Sequence, residues 1–297
     1  MKNPKPSCPV TKVNDRGHTW LPCSFPDFLQ ELDHLATLCT GTSPLPLYRG
    51  QADRTWMLES TLARSCKKFI LGLDPSDQIG QRVQESVDYH RVVLNILLLK
   101  FGVIMRPPNE NDAGHDAWHE LMRDLQQYPK RDHHHFQWTF YLDWTRSPDV
   151  AIFFTNLDRR GDGALWVCDA GATGQTLQEK QVGEILNLMN QRCNKLYPDP
   201  PGCPLFFHPE PQTPNQRALR QQAEYVAQMD LRYDLARVWS SQETDRSTGD
   251  QIYVKLILPN GTQQECSSYL MRKGMTESWL FPGKDDLRPT SRVDGTR

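Results

Sequence analysis

Leu47-Tyr48-Arg49-Gly50-Gln51 is the stretch of this chain that combines a fold signal with a candidate binding residue. It begins with a short apolar run, which predicts a strand, and it places an arginine directly before a glycine. An arginine can direct two donors at one phosphate group, and a glycine lets the main chain approach a bound group closely. The stretch therefore predicts a strand that carries an anion-binding side chain.

A second stretch, Leu142-Asp143-Trp144-Thr145-Arg146-Ser147-Pro148, comes just before another apolar run. Its two hydroxyl side chains, Thr145 and Ser147, lie two residues apart at the point where a helix is predicted to begin. Either hydroxyl is suited to cap that helix, and the carboxylate of Asp143 is a third candidate for the cap.

The composition is that of an ordinary globular protein. The 297 residues include 24% charged and 38% hydrophobic residues. The net charge of -2 does not indicate a nucleic-acid-binding protein, although it does not exclude a local basic groove. The N-terminus lacks the apolar core of a signal peptide, and the eight cysteines occur singly. We expect a cytoplasmic protein with reduced cysteines, no metal site and no contact with a membrane.

Local patterns predict the order of the elements. Ser24 and Asp27 form a capping box for a helix over residues 24–39. Further helices are predicted over residues 179–193 and 264–272, the latter ending at Gly274, and strands over residues 164–168, 224–227 and 252–258. We expect an N-terminal extension (1–19), one α+β domain (20–287) with a helical insertion (about 78–130) and a proline-rich loop (about 197–214), and a flexible tail (288–297).

Five blocks of the sequence, in a fixed order, match the motifs of a known family. The blocks are Tyr48-Arg49-Gly50; His134, Thr139 and the stretch 142–154, similar to LLDWTxSPxxAxxF; Asp162-Gly163-Ala164-Leu165-Trp166; residues 217–225, similar to RxxxQQGxF; and a short helix before Gly274 with Leu280-Phe281-Pro282. Together they resemble the FRG domain, a family named for its (F/Y)RG motif. The sequence departs from the family motifs at two places, with Gln137-Trp138-Thr139-Phe140 instead of the usual GLPTR and with Ala223 instead of the usual glycine.

Through the FRG family the chain is similar to ADP-ribosyltransferases of the R-S-E layout. The resemblance implies an α+β fold with a split β-sheet core and helical insertions. It identifies Arg49 with the arginine, Thr145 and Ser147 with the S-T-S block, and Gln222-Ala223-Glu224 with the Q-x-E loop.

The resemblance also implies a chemistry, in which NAD is the co-substrate. Cleavage of the nicotinamide–ribose bond builds positive charge on the ribose, which Glu224 would stabilise in the transition state. Arg49 would bind the diphosphate, and Gln222 would position the acceptor. The residues implied to contact the cofactor are Tyr48, Arg49, Gly50, Gln51, His134, Trp144, Thr145 and Ser147.

We therefore expect an NAD-dependent ADP-ribosyltransferase that modifies a protein side chain or a nucleic-acid base, as a bacterial toxin or phage-defence effector with an antitoxin as partner. The alternatives are an inactive nucleotide- or protein-binding module of the same fold, and an NAD glycohydrolase. Arg49 could instead pair with Asp53 or Asp143, and Glu224 could face solvent. Whether Glu224 shares a face with Arg49 discriminates between the enzyme and the module.

Overall fold

The computed structural model describes residues 11–13, 18–38, 46–70, 139, 141–170, 205–207, 216–228, 234–244 and 252–282. The predicted insertion at about 78–130, the helix predicted over residues 179–193, His134 and most of the proline-rich loop lie outside the described residues.

The described strands form one mixed sheet, in agreement with the predicted α+β class. In the chain they are β1 (Thr11–Val13), β2 (Thr19–Leu21), β3 (Pro46–Gln51), β4 (Tyr141–Thr145), β5 (Gly163–Asp169), β6 (Leu205–Phe207), β7 (Ala223–Ala227) and β8 (Tyr253–Leu258). Their order in the sheet is β1-β2-β8-β5-β3-β4-β7-β6, and β2 runs parallel to β8 while the other neighbours are antiparallel. Part of the segment predicted as an N-terminal extension thus contributes strands to the sheet.

The sheet is divided between β3 and β4. β3 pairs with β5 along its whole length, from Pro46 opposite Asp169 to Gln51 opposite Ala164. Among the described residues it pairs with β4 at one position only, where Tyr48 is opposite Thr145. The two strands diverge from that pair, so the sheet consists of two halves joined at a single position.

The helices surround this sheet and several have the predicted ends. The predicted capping box is confirmed, because the amide of Asp27 donates to Ser24 Oγ at 3.2 Å and that hydroxyl donates to Asp27 Oδ2 at 2.7 Å. Gly274, with a φ of +71°, follows the C-terminal end of the helix Gln263–Arg272 as predicted. The described helices are α1 (Phe25–Leu38), α2 (Thr61–Ser65, continued by a π-helical turn Cys66–Ile70), α3 (Pro148–Asn156), α4 (Gln216–Arg220), α5 (Leu235–Thr244), α6 (Gln263–Arg272) and α7 (Glu277–Leu280).

Hydrophobic side chains cover both faces of the sheet. On one, here called the α3 face, Tyr48 and Leu165 pack with Ala151 of α3. On the other, here called the α5 face, Leu47 and Trp144 pack with buried side chains of α5. Because neighbours in a strand point to opposite faces, these residues fix the face of every other side chain in β3 and β4.

Arg159 joins the turn after α3 to the loop after β8. Its side chain is buried, and its donors reach main-chain carbonyls on both segments as well as two side chains. The acceptors are the carbonyl oxygens of Gly161 (3.1 Å), Leu258 (3.3 Å) and Pro259 (2.6 Å), Asn156 Oδ1 (3.1 Å) and Thr262 Oγ1 (3.1 Å).

We expect Arg159→Met to destabilise the protein by about 3 kcal/mol, since it leaves several buried acceptors without a donor. In a thermal unfolding experiment this corresponds to a melting temperature lower by roughly 6–12 °C. The exposed neighbour supplies the control: Arg160→Met should shift the melting temperature little. Equal shifts in the two variants would show that the network around Arg159 contributes nothing.

The cysteines differ from the prediction at one position. Cys66, Cys168 and Cys266 are free and buried, as predicted, and burial raises the pKa of Cys266 to about 12. Cys23, however, is disulfide-bonded, and its partner lies outside the described residues. The prediction of a reduced thiol is therefore wrong at Cys23, because pairing depends on which cysteines the folded chain brings together.

Within the described residues, no helix is both long enough and apolar enough to cross a membrane.

Candidate active site at the split of the sheet

A cavity of about 150 Å³ lies where β3 and β4 diverge. An engineered cavity of about that size holds a benzene molecule, so this one admits a single small group of a dinucleotide and not the whole molecule. Its walls are Tyr48, Arg49 and Gly50 of β3; Asp143, Trp144 and Thr145 of β4; Val150, Ala151 and Phe154 of α3; and Arg217, Gln221 and Ala223.

Arg49 bridges the gap between the two halves of the sheet. Its Nη1 donates to the main-chain carbonyl of Asp143 on β4. Its Nε is buried and has no hydrogen-bond partner among the described residues. Burial lowers the pKa of Arg49 to about 10, against the opposing effect of the Asp143 charge. A buried cation with an unused donor therefore borders the cavity.

Of the two acids considered as partners of Arg49, only Asp143 acts on it. Asp53 accepts hydrogen bonds from the amide of Thr55 at 2.8 Å and from its hydroxyl at 2.7 Å, which closes a local turn. Asp143 lines the cavity beside Arg49, and its charge raises the pKa of the arginine.

Thr145 and Ser147 have separate structural roles. Ser147 caps α3, because its Oγ accepts from the amide of Val150 at 3.3 Å. The Thr145 hydroxyl accepts from the amide of Ser147 at 3.0 Å and donates to the carbonyl of Gln221 at 2.6 Å. Ser147 is thus the cap among the three candidates, and Asp143 is not. Thr145 joins β4 to the turn before β7.

Glu224 projects from the same face of the sheet as Arg49. Trp144 is opposite Glu224, and the pairing of Tyr48 with Thr145 places Arg49 level with Trp144. Side chains that are level with one another across a sheet point to the same face, here the α5 face.

The Glu224 carboxylate has a partner beyond this row. Its Oε1 lies 2.5 Å from Nε of Arg146, and the glutamate side chain is 5% exposed whereas that of Arg146 is 50% exposed. Gln222 is exposed and has a φ of +45°, and its carbonyl accepts from the amide of Arg146 at 3.1 Å. The left-handed residue is thus Gln222, one position before Ala223, where the family usually has glycine.

Two of the predicted cofactor-binding residues are core side chains. Trp144 is 2% exposed and packs edge-on against Trp239, with ring centroids 5.7 Å apart. Tyr48 is 3% exposed and belongs to the core of the α3 face, although it also lines the cavity. Both residues therefore have a packing role that needs no ligand.

Gly50 has a structural role in addition to the predicted one. A Cβ atom at this position would lie 2.1 Å from the carbonyl oxygen of Ala151 and 2.5 Å from the amide nitrogen of Thr155. The glycine therefore lets α3 approach β3, whereas the sequence predicted a close approach to a ligand.

Gln51 uses both ends of its amide inside the protein. Its Oε1 accepts from Nε1 of Trp166 at 2.8 Å, and its Nε2 donates to the carbonyl of Met57 at 3.1 Å. The side chain is buried. These two bonds fix the loop after β3 to β5.

We expect Gln51→Leu to destabilise the ligand-free protein by about 1–3 kcal/mol, because the indole of Trp166 then lacks an acceptor. Thermal unfolding without ligand measures this effect, with Gln30→Leu on the exposed side of α1 as control. An unchanged melting temperature in Gln51→Leu would contradict the structural role.

Gln221 and Arg217 line the cavity but were not among the predicted site residues. Gln221 is buried and donates through Nε2 to the carbonyl of Leu280 at 3.3 Å. The guanidinium of Arg217 lies over the ring of Phe281, 4.6 Å from its centroid. Their spacing of four residues, in the block that also contains Glu224, places them on one side of a helical turn. That spacing is the signal that could have identified them.

Residues 46–162 match the FRG domain. This supports the FRG-domain family, as the resemblance predicted. The FRG match includes Arg49, Thr145 and Ser147, and it ends before Gln222 and Glu224. A search of the curated proteins gave no match, and neither did a search of the solved structures.

Proposed function

We propose that the protein is an NAD-dependent ADP-ribosyltransferase that transfers ADP-ribose to a macromolecular acceptor. The observation that supports this most is the row across the split sheet, in which Arg49 and Glu224 project from one face with Trp144 between them. Arg49 borders the cavity, whereas Glu224 is not among the described residues that line it. Gln222 is exposed on the turn before Glu224. The enzyme hypothesis requires this common face.

In the proposed reaction the bond between nicotinamide and C1′ of the ribose breaks, and nicotinamide leaves with the electron pair. The acceptor nucleophile then forms a bond to C1′ and loses a proton to solvent. The ribose carries positive charge in the transition state, and the Glu224 carboxylate stabilises it there. Arg49 binds the diphosphate through charge-assisted hydrogen bonds.

Arg146 has to share Glu224 with the substrate. Its side chain is half exposed, whereas the carboxylate of Glu224 is buried. Arg146 can therefore turn toward solvent only when a ribose hydroxyl replaces it as the hydrogen-bond partner of the buried carboxylate.

A second candidate is a binding module without catalytic activity. Two contacts favour it, since Glu224 is already paired with Arg146, and Arg49 already donates to the carbonyl of Asp143. A protein that only binds a nucleotide or a partner protein would keep both contacts.

The test incubates the purified protein with NAD labelled in its adenylate part and with a bacterial lysate. The macromolecules are then divided into protease-sensitive and nuclease-sensitive pools. Label in either pool supports transfer and identifies the acceptor class. Free ADP-ribose alone identifies an NAD glycohydrolase, and intact NAD contradicts both enzymatic functions and leaves the module. If transfer occurs, capture of an antitoxin by the tagged protein is the next experiment.

We expect Arg49→Ala to weaken NAD binding by about 10- to 100-fold, because hydrogen bonds to a charged group contribute about 1.5–3 kcal/mol. Calorimetric titration with NAD measures the loss, and Arg272→Ala at the exposed end of α6 is the matched control. Unchanged affinity in folded Arg49→Ala would exclude this arginine from the binding site.

A further inference from the structure

We propose that Arg217 is a second phosphate-binding residue of the cavity, and that Phe281 holds it in position. The proposal rests on the proposed function, because the phosphate belongs to the ADP-ribose part of NAD.

The charges around the cavity favour an anion. Arg49 and Arg217 line it from opposite halves of the split, one on β3 and the other on α4. The described residues that line the cavity carry two positive charges, Arg49 and Arg217, and one negative charge, Asp143. A phosphate group between two arginines would accept charge-assisted hydrogen bonds from both.

The position of Arg217 is set by aromatic side chains. Its guanidinium lies over the face of Phe281, which leaves the edges of the planar group directed away from the ring. Phe281 in turn packs edge-on against Phe154, with centroids 5.9 Å apart, and it also contacts Phe153. Since Phe154 lines the cavity, one aromatic cluster connects Arg217 to the cavity wall.

The segment of residues 276–282, here called the C-terminal strap, is held by side chains of α4 and of the residue that follows it. Arg220 Nη1 donates to the carbonyl of Trp279 at 2.9 Å, and Gln221 Nε2 donates to the carbonyl of Leu280 at 3.3 Å. Gln221 and Arg217 both line the cavity and contact the strap. A ligand that binds Arg217 in this position therefore also stabilises the docked strap.

The test is calorimetric titration with ADP-ribose. We expect Arg217→Gln to weaken binding by about 10-fold or more, as loss of a charge-assisted contact does. The control Arg272→Gln removes an equal charge from an exposed position and should leave the affinity unchanged. Phe281→Leu, which keeps an apolar side chain but no ring, should weaken binding by about threefold, and Phe281→Tyr should restore it.

Hydrogen exchange of the strap provides a readout that a purely structural role would not change. Saturation with ADP-ribose should slow exchange at residues 276–282 in the unmodified protein and in Arg272→Gln, but not in Arg217→Gln at equal saturation.

The outcomes separate the two proposals. Equal affinity for ADP-ribose in Arg217→Gln and the unmodified protein overturns the role of Arg217 and leaves the proposed transferase intact. An unmodified protein that binds neither NAD nor ADP-ribose overturns both. A protein that binds ADP-ribose through Arg217 but transfers no label retains this phosphate site and loses the proposed transferase.

Discussion

Glu224→Gln is expected to reduce ADP-ribosyl transfer by about 10²- to 10³-fold while the protein stays folded, which is the usual effect of removing one group that stabilises charge in a transition state. The amide has nearly the volume of the carboxylate but no charge. Since the positive charge on the ribose develops only in the transition state, we expect a lower kcat and little change in KM for NAD.

Glu224→Gln also removes the charged partner of Arg146, so the stability of this variant has to be measured beside its activity. Loss of the pair should change stability by about 1 kcal/mol or less, because Arg146 is half exposed. Thermal unfolding would verify this, and Glu265→Gln, at an exposed position of α6, is the matched control for activity. Full transfer activity in Glu224→Gln would exclude the proposed mechanism, and a rise in KM alone would indicate a role in binding.

Gly50→Ala should destabilise the protein by about 3 kcal/mol or more, at the upper end of what an added methyl group costs in a packed interior. The new Cβ would lie 2.1 Å from the carbonyl oxygen of Ala151 and 2.7 Å from Thr155 Oγ1. Both atoms belong to α3, and they are hydrogen-bonded to each other at 2.8 Å. Main-chain atoms of a helix cannot turn aside, so α3 as a whole has to move.

Gly161 supplies the control, since a Cβ there would have nothing within 4 Å. Gly161→Ala should leave the melting temperature nearly unchanged, whereas Gly50→Ala should lower it by roughly 6–12 °C or prevent folding. If Gly50→Ala fails to fold while Gly161→Ala folds normally, the close approach of α3 to β3 is equally supported. A fully stable Gly50→Ala would show that the close approach of α3 is not required.

The position of the cavity shows why the site was only partly predictable. The motifs identify Arg49, Thr145 and Ser147; the first two line the cavity at the split of the sheet, and Ser147 caps α3. Arg217 lies over the ring of Phe281, which is distant in the sequence and belongs to the C-terminal strap. The spacing of Arg217 and Gln221 could indicate that they share one side of a turn, but no local pattern encodes the contact with Phe281 or the place of Arg217 in the cavity wall.

The roles of individual residues also could not be assigned without the tertiary structure. A glycine after an arginine predicts a close approach but does not say to what, and at Gly50 the approaching group is α3. Three candidates for one helix cap could not be separated by spacing, because the choice depends on which oxygen reaches the amide of Val150, and Ser147 does.

Elements with local signals could be predicted from the sequence. The capping box at Ser24, the end of α6 at Gly274 and the strands that contain Arg49 and Trp166 all follow from residues within a few positions of each other. That Arg49 and Glu224 share a face could be seen only in the folded chain. Their row depends on strand register across the split sheet, and register is set by packing and pairing between segments far apart in the chain.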